Sequence, residues 1–216
     1  MGLSSGAAVA FLFIIGTMSG QSVTWVNAEL KRAPSPRCCS GMAYDRGRQG
    51  TILFGGAGPG GPFGDTWLLQ NPVWSQLSPA TAPPSREGAG MVYDGAGQNI
   101  VMFGGLSSNG VSLNDTWTWD GSNWTQQFPP VSPPGRRFDT QGMTYDAATH
   151  TVVFFGGIES DQSVLGDTWT WNGITKTWTQ MFPASAPSPR RTMIAYDGAT
   201  GNVVLFGGER HRHARE

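Results

Sequence analysis

Four times along the chain, a short alternation of apolar and polar residues gives way to a tight turn, a β-branched run and then F-G-G. The alternating segment carries a tyrosine, at Tyr44, Tyr93, Tyr145 and Tyr196, and the phenylalanine of F-G-G follows ten residues later, at Phe54, Phe103, Phe155 and Phe206. D-T-W begins at Asp65, Asp115 and Asp167, and a second tryptophan stands at Trp74, Trp124 and Trp178. Side chains that alternate with a period of two lie on opposite faces of a strand. The tyrosines recur every 49 to 52 residues, and a period of that size marks a chain built from repeated modules.

Each unit predicts four short strands. Strand a holds M-x-Y-D, and a turn such as Asp94-Gly-Ala-Gly-Gln-Asn follows it, made of residues that accept turn conformations. Strand b is the apolar run before F-G-G, for example Thr151-Val-Val-Phe-Phe. Strand c is D-T-W-T-W, with Trp117 and Trp119 on one face and Thr116 and Thr118 on the other. Strand d carries the second tryptophan, and a proline-rich link leads to the next unit. No stretch after Gly20 has a helical period.

Four-stranded units of about 50 residues are the blades of a β-propeller. With Gly-Gly after strand b and spaced aromatics after it, in four registered copies, the sequence resembles the kelch-repeat family, and more narrowly its galactose-oxidase-like bacterial members. The resemblance covers Ser22 to Gly208 and implies an all-β, kelch-type propeller. One departure is that Trp119 and Trp171 stand where many kelch repeats place a tyrosine, with Leu69 there in the first unit. Each keeps a bulky apolar group, so the fold expectation is unaffected.

The front of the chain is read from the same spacing. Trp25 precedes Arg37 by the 12 residues that separate Trp74 from Arg86, Trp124 from Arg136 and Trp178 from Arg190. Ser22 to Trp25 is therefore expected to be the d strand of a unit whose front is absent. Ala7 to Met18 is an apolar run of 12 residues, about 18 Å as a helix and short of the roughly 30 Å of a bilayer core. It suits the hydrophobic part of an export signal. The expected organisation is a leader at 1–20, propeller blades at 21–208 and a basic tail at 209–216, with export to the envelope or outside, and otherwise a cytoplasmic location. One d strand, three full units and a final a–b pair make an incomplete propeller of just under four blades. A truncated reading frame is the preferred explanation. Self-association through open blade edges and a strained four-bladed ring are the alternatives.

Composition narrows the function. A net charge of −1 with 13% charged residues provides no basic footprint for nucleic acid. The one dense charge run is the tail, with Arg210, His211, Arg212, His213 and Arg215, which reads as a solvated end. Cys38 and Cys39 are adjacent, too close for an unstrained mutual bridge, and are expected to be buried small residues at a strand start.

Up-and-down strand order gathers the d-to-a links and the b-to-c loops on one face. The b-to-c loops differ most between units: Ala57 to Gly64, Leu106 to Asn114 and Ile158 to Gly166. Variable loops on a repeated scaffold are where binding concentrates. The candidate ligand-binding residues on that face are Arg37, Arg86, Arg136, Arg190, Phe63, Phe138, Glu159 and Asp161. The arginines have a second reading, in which each guanidinium bonds backbone or the D-T-W aspartate in a neighbouring blade. The Y-D aspartates read as turn formers and the nine tryptophans as blade packing. A copper centre of the galactose oxidase kind needs converging tyrosines and two histidines. Here the repeat uses all four tyrosines, and the histidines are His150, His211 and His213, so that activity is rejected. His211 and His213 alone leave a metal short of ligands, and no cofactor is expected. Glu87, Asp139, Glu159 and Asp161 could serve as acid or base, but nothing pairs them at a working distance. The expected function is a non-catalytic module that binds a protein or glycan through the loop face. A carbohydrate-active enzyme of the epimerase or hydrolase type, of which this chain is a part, is the alternative.

Overall fold

Each tyrosine-bearing segment forms the innermost strand of an antiparallel sheet, and the sheets follow the repeat. The computed structural model describes residues 11–13, 25–27, 33–71, 73–138 and 141–208. Blade 1 comprises strands a Gly41–Asp45, b Gly50–Phe54, c Thr66–Gln70 and d Val73–Leu77. Blade 2 comprises Gly90–Asp94, Asn99–Phe103, Thr116–Trp119 and Trp124–Gln127. Blade 3 comprises Met143–Asp146, Thr151–Phe155, Thr168–Asn172 and Thr177–Met181. Strands Met193–Asp197 and Asn202–Phe206 pair as an a–b hairpin. Within every four-stranded sheet the neighbours run a-b-c-d. Over the described residues the fold is all-strand, an incomplete β-propeller of three blades and a hairpin, as the repeat predicts.

The described part of the front of the chain includes the end of the expected front strand. A strand lies at Trp25–Asn27, while residues 22–24 of the expected strand lie outside the described residues, and Phe11–Phe13, inside the expected leader, pairs with it antiparallel. The register sets Phe13 opposite Trp25, as Trp119 is set opposite Trp124 and Trp171 opposite Trp178. The rest of the leader, Asp139 and the basic tail lie outside the described residues.

Local chemistry explains the strand ends. In each a–b turn the Y-D aspartate accepts backbone N–H groups two and three residues on; Asp45 Oδ1 takes those of Gly47 and Arg48 at 2.9 and 3.2 Å. The last turn position is left-handed in all four copies, at Gln49, Gln98, His150 and Gly201, so His150 serves as a turn residue. After strand b the chain must turn sharply beneath the next link. Gly55 and Gly56 do this at φ 65° and 92°, and a Cβ on Gly55 would sit 2.5 Å from the Arg86 carbonyl oxygen.

The core lies at the joints between blades. Phe54, Ile52 and Ala43 of blade 1 pack on Met91, Met102, Trp117, Trp119 and Trp124 of blade 2. Phe103 and Val101 of blade 2 pack in the same way on Phe154, Trp169, Trp171 and Trp178 of blade 3. The aromatic rings meet at 5.2–5.3 Å, Phe54 on Trp124 and Phe103 on Trp178, both edge to face. Burying one such side chain is worth about 1.5–3 kcal/mol. Blades 2 and 3 therefore hide their tryptophans against their predecessors. Phe206, the counterpart of buried Phe103, is 77% exposed on the outer face of the last hairpin.

The four a strands border a cavity of about 720 Å³ lined by Tyr44, Tyr93, Tyr145 and Tyr196. Burial raises the Tyr145 phenol above its ordinary value, and the nearby carboxylates of Asp94 and Asp146 push it the same way. At the link end of the same strands a smaller hollow of about 240 Å³ opens between Cys39, Gly88, Phe138 and Gln141.

Candidate functional site: the link and loop face

The links and the b–c loops share one face, as strand order predicts, and backbone hydrogen bonds join them. Cys38 pairs with Ala57, Glu87 with Leu106 and Arg137 with Ile158. The links also bond to one another across blades. Gly88 N–H donates to Cys39 O, and Phe138 N–H to Gly88 O, both at 2.7 Å.

The link arginines are the fasteners of this arrangement. The backbone of Arg86 belongs to the preceding blade: its N–H donates to Phe63 O, and its carbonyl accepts from Gly56 N–H, both at 3.0 Å. Its side chain belongs to the blade it introduces. The guanidinium grips Asp115 with both nitrogens, at 2.5 and 2.8 Å, and donates to Gly104 O at 3.0 Å. Arg136 does the same with Asp167 and Gly156 O, and Arg37 with Asp65 and Gly55 O. Arg190 donates to Gly207 O at 3.4 Å and, as Arg86 does to Pro84 O, to the carbonyl two residues back, Ser188 O, at 3.0 Å.

For Arg37, Arg86 and Arg136 these contacts oppose the ligand-binding reading. Arg86 and Arg136 are 0% exposed, and the Arg37 side chain 5%. A fork whose donors are already spent on a carboxylate and a carbonyl has nothing left for a ligand. The carboxylate belongs to the blade that the arginine introduces. Burial alone would raise the Asp65 carboxyl, but hydrogen bonds from Arg37 and the Trp67 indole, with the Arg37 charge, hold it below its ordinary value. Asp167 is lowered in the same way, burial opposing and Arg136 and Trp169 prevailing.

Phe138 is also withdrawn, 6% exposed and edge-on to Phe154 at 5.6 Å. It anchors its link. Phe63 is half-buried, with the Arg37 guanidinium carbon 3.8 Å above its ring. Glu159 and Asp161 do reach the surface, on the blade 3 loop. Each also ties that loop together: Glu159 accepts from the Ser163 hydroxyl at 3.1 Å and Asp161 from Ser163 N–H at 2.8 Å.

Sequence reading named Cys38 and Glu87 but missed that they share one position, directly after each link arginine, with Arg137 and Arg191. These four residues stand one per blade on this face. Arg137 reaches Glu87 at 3.9 Å and donates to the Gln162 side chain at 3.1 Å, so it bridges blades 2 and 3. The signal was present: beside an arginine that recurs at Arg37, Arg86, Arg136 and Arg190, this position reads cysteine, glutamate, arginine and arginine. Both cysteines are exposed, which corrects the expectation of burial. Cys39 sits at φ 57°, a left-handed backbone that takes its side chain out of the strand alternation.

The model of the KLHDC2/KLHL20/DRC7 Kelch-repeats domain matches residues 69–216. The chain belongs to the kelch-repeat family. No curated protein matches it. The match spans blades 2 and 3 and the last hairpin, and it begins at Leu69 in strand c of blade 1. Kelch domains generally mediate protein binding, and this chain is a kelch propeller module of that kind. No helix among the described residues is long and apolar enough to cross a membrane.

Proposed function

We propose that the chain binds a protein partner on the face formed by its d–a links and b–c loops. The observation that supports this is the ring of positions after the fastening arginines. Cys38, Glu87 and the arginine pair Arg137 and Arg191 differ in charge and chemistry, while the residues that hold the links in place repeat. Repetition serves the scaffold, and departure from it on one exposed face serves recognition. Glu159 and Asp161 extend the same face with negative charge next to Arg137 and Gln162, so a partner with alternating charge fits it. The fastening arginines hold the face without touching the partner.

Peptide selection tests this. A displayed random-peptide library is panned on the immobilised chain, and the best binder is measured against Arg137→Glu and Asp161→Lys. Charge reversal at a complementary rim should weaken binding about tenfold or more, with the circular dichroism spectrum unchanged. Binding indifferent to both changes, or competed by substitutions in the a–b turns, would place recognition elsewhere.

A further inference from the structure

We infer that Cys38, Cys39 and Glu87 form a binding site for a thiophilic divalent cation such as zinc. The sulfurs of Cys38 and Cys39 and a carboxylate oxygen of Glu87 all lie within 4.8 Å of one another. The two cysteines come from the link before blade 1 and the glutamate from the link before blade 2. The Gly88 N–H to Cys39 O hydrogen bond, 2.7 Å, fixes these links side by side. Three donors carried by two neighbouring links therefore lie close together.

The donor set selects the ion. Thiolate sulfur is soft and carboxylate oxygen hard, a mixture that suits zinc or cadmium and disfavours magnesium and calcium, which take oxygen alone. Zinc bonds of about 2.3 Å to sulfur and about 2.1 Å to oxygen put tetrahedral donors roughly 3.5–3.8 Å apart. The sulfurs are now 2.9 Å apart, with the Cys39 thiol donating to Cys38. Opening that gap by just under 1 Å is within reach of side-chain rotation, because both cysteines are exposed. Two thiolates and a carboxylate leave one negative charge over on a divalent ion, and Arg137, 3.9 Å from Glu87, stands beside it to offset it. The left-handed backbone at Cys39 is the device that brings neighbouring sulfurs to one side, since adjacent residues of a regular strand point opposite ways. The fourth position of the ion faces solvent at the link face. Water completes it, or a side chain of the bound partner.

The whole chain, reduced with a phosphine and stripped of metal, is titrated with cadmium and with zinc. Wild type should bind one equivalent and develop the ultraviolet cadmium–thiolate band. Cys38→Ser and Cys39→Ser should each lose most of that band, and Glu87→Gln should keep it while weakening affinity about tenfold or more. Alkylating the exposed thiols of folded wild type should abolish binding without any substitution. The site is overturned if wild type shows no band, if alkylation leaves the affinity unchanged, or if Glu87→Gln binds as tightly as wild type.

Discussion

Trp178 donates its indole N–H to the hydroxyl of Thr116, 62 residues earlier and one blade back, at 2.8 Å. Trp124 does the same to Thr66 at 3.0 Å. The threonine of D-T-W thus has a job that faces forward, receiving the tryptophan of the following blade. Thr116→Val keeps the shape and removes the acceptor. Leaving a buried indole N–H without a partner costs about 1–3 kcal/mol. Equilibrium urea unfolding should show that loss, and Thr116→Ser should recover most of it.

Arg86→Ala leaves the Asp115 carboxylate without its partner at the joint. Breaking such a pair from one side costs about 3–5 kcal/mol. Asp115→Ala should cost a similar amount, and the double variant clearly less than the two singles added together, because both remove one interaction. Denaturant midpoints of the four proteins form the cycle. Strict additivity would show that the pair contributes little.

Acid should loosen the joints. Asp65 and Asp167 titrate below the ordinary aspartate value of 3.8 in the folded chain. A depressed carboxyl favours the fold at pH values above that ordinary value, and the contribution is lost as pH falls through the folded one. Unfolding free energy should therefore be flat near neutrality and decline from about pH 5 downward. Asp167→Asn should be less stable at neutral pH and show a shallower acid decline. An unaltered acid limb in that variant would rule out Asp167 as a contributor.

Two glycines of the first b–c loop should behave oppositely. Gly55 is left-handed with the Arg86 carbonyl against its open side, so Gly55→Ala should destabilise by about 1–3 kcal/mol or more. Nothing lies within 4 Å of a Cβ on Gly60, so Gly60→Ala should be neutral, or stabilising by up to about 1 kcal/mol through the unfolded chain. Thermal unfolding of the two variants side by side checks the contrast.

The fold was legible because its signals are local and repeated. The Tyr44, Tyr93 and Tyr145 alternation, the F-G-G corners and the D-T-W strands each fix one element, and every copy confirms the others. The joints were legible only as alternatives. Spacing places Arg86 and Asp115 29 residues apart without saying whether the guanidinium turns inward or outward, and burial decides that. The cysteines were misread for a related reason. A strand start predicts burial, but the left-handed step at Cys39 is a backbone event with no marker in the residue type. Position 137 was overlooked because its bridging role depends on Glu87 and Gln162, which lie far from it in the sequence and meet it only in the folded chain.

Arg86 and Arg136 each join the preceding b–c loop through main-chain atoms: Gly56 N–H and Phe63 O for Arg86, Gly105 N–H and Leu113 O for Arg136. Nothing in that grip depends on how the intervening loop is spelled. The stretch between Gly105 and Leu113 is thus an interchangeable cassette, open to exchange for foreign segments while the weld between blades 2 and 3 stays intact. Variety on one face and constancy in the frame come from the same bonding choice.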